Sequence, residues 1–77
     1  MPKIPIIKSK DMLQYLLKYG CELTGISGSH HRLHNPANNR FTVLAMHSNK
    51  DFSKGAFSSI LKQLGIDINE FIDFMDK

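Results

Sequence analysis

The chain has 77 residues, fewer than the roughly 100 to 200 typical of a domain, so a single unit over 1–77 is expected, with a core too thin for a deep cofactor cavity. Hydrophobic residues at 42% beside 22% charged ones exclude both a disordered and a membrane-embedded composition. The net charge of +3 is uneven: residues 1–64 carry +6 and residues 65–77 carry −3, so an acidic tail follows a basic body suited to a polyanion such as nucleic acid.

The N-terminal stretch has Lys3, Lys8 and Lys10 around an apolar patch broken by Pro5, and it lacks the apolar core of a secretory signal. No apolar run approaches the roughly 18 residues of a membrane span. The single cysteine, Cys21, cannot form an internal disulfide and is expected to be a small core residue, so a cytoplasmic protein away from membranes is expected. Ser9 is a candidate N-cap for a first helix near 9 to 19, with Met12, Leu13, Leu16 and Leu17 on one stripe and Gly20 as terminator.

From Cys21 to Met46 the pattern turns to short β-branched stretches separated by Gly25, Gly28 and the Asn-rich turn Asn35, Pro36, Asn38 and Asn39. It predicts three strands, near 22 to 27, 30 to 34 and 40 to 46, the last two forming a hairpin. A second helix follows, with Ser53 as N-cap, a Phe52–Phe57 staple, the stripe Phe57, Ile60, Leu61 and Leu64, and Gly65 as terminator. A short appended helix has Asp67 as N-cap, Glu70 completing a capping box, and Ile68, Phe71, Ile72 and Met75 on one face. The order α-β-β-β-α plus one helix reads as an α+β two-layer sandwich, its antiparallel sheet covered on one side and open on the other.

Three of the four histidines fall in Gly28-Ser29-His30-His31-Arg32-Leu33-His34. Strand geometry argues against a metal site there: neighbours point to opposite faces, and His30 and His34 stand about 13 Å apart, too far to share one ion. Ser29 and His30 do not make an acyl-transfer pair either, because adjacent strand residues diverge and no Gly-x-Ser-x-Gly elbow surrounds Ser29. No cofactor is implied. The second strand instead offers one polar face, His30, Arg32 and His34, with no apolar side chain to bury.

That face, with Arg40 at the start of the third strand and Lys50 and Lys54 around the start of the second helix, makes a basic surface holding an imidazole. A helix N-terminus also favours phosphate. These parts suit phosphodiester chemistry on RNA: an imidazole takes the proton of a ribose 2′-hydroxyl, and cations and amides stabilise the charge that builds on phosphorus. DNA lacks that hydroxyl. A surface histidine without a task stands as the alternative.

Gly28-Ser29-His30-His31 after a first helix and strand, His47 at the end of the third strand, and Lys54-Gly55-Ala56-Phe57-Ser58-Ser59-Ile60-Leu61-Lys62-Gln63-Leu64-Gly65 with the Ile68 to Phe71 segment carry a resemblance. In this order and spacing the chain resembles the HicA family, also called YcfA-like, over about Lys3 to Met75. The resemblance implies a double-stranded-RNA-binding-domain-like fold, ribosome-independent cleavage of messenger RNA, and neutralisation by a HicB-type antitoxin; with the imidazole route above, the expectation is a metal-independent endoribonuclease toxin. It places the catalytic histidine at His30, with Gly28 and Ser29 forming the turn that presents it, and makes His47 a candidate phosphate contact or second proton donor. Two positions depart from the family pattern. Ala45 stands where members often carry proline, so the third strand can run on, and Ser27 stands where a basic residue is common. A non-catalytic RNA-binding module, or a degenerate toxin acting through protein contacts, is the competing expectation.

Overall fold

The computed structural model describes residue 4, residues 6–46 and residues 51–76, with Asp51 and Phe52 described by their backbone alone. The elements run β1 (Ile7–Lys8), α1 (Ser9–Tyr19), β2 (Glu22–Ser27), β3 (His30–Asn35), β4 (Arg40–Ala45), β5 (Asp51–Phe52), α2 (Lys54–Gln63) and α3 (Ile68–Met75). The order and the two-layer α+β arrangement are those expected of a double-stranded-RNA-binding-domain-like fold. The two-residue strands β1 and β5 are an addition. They pair antiparallel, Ile7 with Phe52 and Lys8 with Asp51, and so tie together the segments that lead into α1 and α2.

This ladder corrects the start of α1. Lys8, extended at φ −89° and ψ 157°, is the N-cap and offers no side-chain cap, while Ser9 is the first helical residue and only 3% exposed. The helix therefore begins one residue earlier than a Ser9 cap would place it, and no earlier, because Lys8 is held extended in the ladder to Asp51. The other caps match expectation. Ser53 Oγ accepts the Ala56 N–H at 3.1 Å, and an Asp67 carboxylate oxygen accepts the Glu70 N–H at 3.1 Å. Gly20 and Gly65 end α1 and α2 with φ of 125° and 68°, a region that glycine enters without Cβ strain. The expected staple involves the Phe52 side chain, which lies outside the described residues.

β2, β3 and β4 form one antiparallel sheet in that order. Its register sets His30 between Ser27 and Ala45, Arg32 between Gly25 and Val43, and His34 between Glu22 and Phe41. A bulge between Leu23 and Gly25 puts Thr24 out of step, which twists and blunts the β2 edge. β4 pairs as far as Ala45, and the Met46 N–H continues the ladder to the Ser29 carbonyl at 2.8 Å, so the strand runs on past Ala45.

Helices cover one face of this sheet. The core between the layers joins Met12, Leu13 and Leu16 of α1, Leu33 and Leu44 of the sheet, Phe57, Ile60 and Leu61 of α2 with its C-cap Leu64, and Phe71 of α3. Phe71 meets Tyr19 and Phe57 edge to face at 5.2 and 5.9 Å between centroids, which fixes the acidic α3 against the body. The Thr42 hydroxyl donates to the Gln63 side-chain carbonyl, so β4 and α2 are joined by polar as well as apolar contact.

Candidate functional site

The site begins at the β2–β3 hairpin. Gly28, at φ +59°, and Ser29 are the two residues between Ser27 and His30, and a positive φ at the first of them is what a type II′ turn needs. His30 is therefore the first residue after a tight turn, exposed and on the open face. Alternation sends His31, Leu33 and Asn35 the other way, Leu33 being fully buried and Asn35 8% exposed. The two adjacent histidines thus have different surroundings. His31 is half-buried under the sheet, its Nδ1 out of water with no partner among the described residues.

His30 and His34, which share the open face, differ as well. His34 Nδ1 lies 3.2 Å from Glu22 Oε1, Nε2 lies 2.8 Å from Asn39 Oδ1, and its ring stacks on Phe41 at 4.5 Å between centroids. A carboxylate only accepts, so Nδ1 carries a proton toward Glu22, while Nε2 meets the Asn39 side-chain amide. Both nitrogens are thus engaged. The His30 imidazole has no hydrogen-bond partner among the described residues and lines a groove of ≈ 250 Å³ with Gly25, Ile26, Ser27, Arg32 and Val43. Of the two, His30 is the imidazole with nitrogens available to a ligand.

Arg32 stands beside His30 on this face, while its backbone carbonyl accepts a 3.3 Å hydrogen bond from the Thr24 hydroxyl. Gly25, its cross-strand neighbour, has no side chain, and a Cβ there would meet nothing within 4 Å. Arg40 does not join this cluster. It pairs with Asn35 at the far end of β4, and its Cδ approaches within 3.0 Å of the position a Gly65 Cβ would take, placing the guanidinium stem at the C-terminal end of α2. The reason is register: Arg40 has the parity of Thr42 and Leu44, the covered face. Lys54, first in α2, lines a separate apolar groove with Ile4, Ile7, Tyr15, Ile72 and Met75. His47 and Lys50 lie outside the described residues.

Sequence reasoning missed the apolar half of the open face. Phe41 and Val43, 52% and 50% exposed, sit beside His34 and Arg32. The signal was available, because the alternation of Phe41, Thr42, Val43 and Leu44 puts apolar residues on both faces, Phe41 and Val43 on one and Leu44 on the other, and only one face can meet the helices. Burial pushes the Cys21 thiol above its ordinary pKa, which suits a packed residue and not a nucleophile. Among the described residues no group of three or more His, Cys, Asp or Glu is placed to hold a metal ion, and no helix is long and apolar enough to cross a membrane.

With this geometry in place, comparison with protein families is informative: the model of the HicA toxin of bacterial toxin-antitoxin modules aligns with residues 9–66. The chain belongs to the HicA toxin family. The match runs from the start of α1 through the His30 hairpin to the residue after Gly65, and it ends before α3. Membership makes this HicA-family chain a toxin with an antitoxin partner in general terms. No curated protein and no solved structure matches it.

Proposed function

We propose that this HicA-family toxin is a metal-independent endoribonuclease that cleaves messenger RNA on the open face of its sheet, with His30 as the proton-transfer group. The observation that carries the reading is the unengaged His30 imidazole in the groove beside Arg32, in contrast to His34, whose two nitrogens are occupied. In this reaction His30 takes the proton from a ribose 2′-hydroxyl. The 2′-oxygen then bonds to the adjacent phosphorus, the bond from phosphorus to the 5′-oxygen breaks, and that oxygen leaves with a proton. The products are a 2′,3′-cyclic phosphate and a free 5′-hydroxyl. Arg32 sits where it can stabilise the charge on the phosphoryl oxygens, the Gly28-Ser29 turn fixes where His30 starts, and His47 is the candidate proton donor.

Arg40, Lys50 and Lys54 add attraction for the polymer at longer range. A HicB-type antitoxin of acidic character would silence the toxin by covering His30 and Arg32, while the acidic α3 packs on the body away from that surface. Purified protein incubated with messenger RNA in EDTA tests the reading. Fragments ending in 2′,3′-cyclic phosphate are expected; cleavage that appears only with added magnesium or manganese, or fragments with 3′-hydroxyl ends, would refute it.

A further inference from the structure

The open face carries an aromatic feature that proton transfer at His30 does not use. The Phe41 ring is 52% exposed, although phenylalanine in so small a protein gains most from burial. Its position is not loose. His34 stacks against it with an interplanar angle of 29°, and the His34 ring is itself held at both nitrogens by Glu22 and Asn39. The His34 side chain retains only 19% of its surface while Phe41 keeps half, so the imidazole backs one side of a phenyl ring whose remaining surface faces solvent. An imidazole can cover only one face of a ring. What is left is a fixed, open aromatic plane.

Three neighbours say what such a plane would receive. Arg32 stands between it and His30 on the same face of β3, so a cation separates the platform from the imidazole along about 13 Å of strand. Glu22, the one acid among the described residues of the three strands, is tied to His34 and offers little repulsion to a polyanion. Gly25 leaves the space across from Arg32 empty. A sheet face with a half-exposed aromatic, an adjacent cation and an open floor fits an unpaired nucleotide: the base stacks on the ring and the phosphate meets the cation. In a duplex the base faces are already stacked on one another.

We propose that Phe41, backed by His34, is a base-stacking platform that holds an unpaired nucleotide of the RNA a short step from the bond at His30, and so selects single-stranded substrate. The proposal rests on the ribonuclease reading above and adds a specificity residue to it. Phe41 touches no proton-transfer chemistry, and its outward side chain contributes nothing to the core between the layers.

The test uses protein carrying His30→Ala, so that RNA is bound and not cut, and short single-stranded RNAs with 2-aminopurine at successive positions. One position is expected to show quenched fluorescence on binding, and quenching is lost in Phe41→Ala. Phe41→Ala and Phe41→Leu should each weaken single-stranded binding by about 5- to 150-fold, Phe41→Tyr should restore it, and none should alter the weaker binding of duplex RNA of the same sequence. Leucine keeps the apolar area and removes the π-face, so equal binding by Phe41→Leu and the parent overturns the platform. Unchanged RNA binding in Phe41→Ala with loss of antitoxin binding overturns it too and makes the ring a protein contact. Quenching without any RNA cleavage by the His30 protein leaves the platform standing and removes the ribonuclease reading, whereas no RNA binding at all removes both.

Discussion

The Asn35 side-chain amide donates a 2.8 Å hydrogen bond to the backbone carbonyl of Leu64, a residue 29 positions away that caps the C-terminus of α2. Asn38 donates to the same carbonyl at 2.9 Å, and Asn35 Oδ1 accepts the Ala37 N–H at 3.1 Å. The β3–β4 turn thus supplies donors to a helix end whose carbonyls have no intrahelical partner. Asn35→Ala should cost about 1 to 3 kcal/mol, because it leaves buried polar groups short of partners. Asn38→Ala should cost about 0.5 to 1.5 kcal/mol, and the double variant more than the sum, since the carbonyl then has neither donor. Urea titrations of the three variants check this, and strict additivity would mean that the two amides do not act on one acceptor.

Gly25→Val probes the groove without touching the imidazole. Gly25 follows the β2 bulge but has no positive φ, and an added Cβ meets nothing within 4 Å, so a β-branched residue should be accommodated with stability close to the parent's. The new side chain would stand across from Arg32, in the space the RNA is proposed to occupy. RNA cleavage is expected to fall at least about tenfold, roughly 1.4 kcal/mol of transition-state binding, at full thermal stability. Unchanged cleavage would show that the RNA lies elsewhere.

Alkaline stability follows from two shifted groups. Burial first, and then the Glu70 carboxylate, raises the Tyr19 hydroxyl above its ordinary 10.0, and burial raises the Cys21 thiol above 9.0. In both cases the folded chain holds the proton more firmly than the unfolded one. The contribution is therefore complete below pH 9.0 and is lost as pH rises past 9.0 and then 10.0 toward the higher folded values. The urea midpoint should decline between pH 8 and 11, and less steeply in a Tyr19→Phe, Cys21→Ala double variant. An equal slope in both proteins would assign the decline to other groups.

Salt dependence separates the arginines. If Arg32 meets a phosphate beside His30, Arg32→Ala should lower the magnitude of the log-log slope of RNA affinity against salt by about 0.7, the contribution of one contact on a single strand. Arg40, held against Gly65 at the other end of the sheet, should give a smaller change. Equal changes for the two would contradict the placement of the RNA along β3.

The sequence exposed those parts of the fold where chemistry is local. Ser53 and Asp67 announce helix starts through one hydrogen bond to a residue three positions on, Gly28 announces a turn, and the alternation along 30–34 sorts His30 from His31. What it concealed depends on register and on contacts far apart in the chain. Whether Arg40 belongs with His30 turns on strand pairing, whether Phe41 is buried turns on which face the helices cover, and the Asn35 contact with Leu64 joins segments that no local pattern connects. The same holds for Lys8, which the two-residue ladder to Asp51 keeps out of the helix. His34 looked equivalent to His30 because its tethers, Glu22 and Asn39, come from a neighbouring strand and a turn.

The central claim is that His30 performs the chemistry and the rest of the open face binds. The direct measurement is a paired one on His30→Ala: the rate of RNA cleavage in EDTA, and the affinity for a single-stranded RNA that cannot be cut because its 2′-hydroxyls are methylated. The account predicts a cleavage rate lower by about 10² to 10⁴, the usual contribution of a positioned acid-base group, with affinity and unfolding temperature close to the parent. Cleavage at the parent rate, or a loss of affinity as large as the loss of rate, would contradict it.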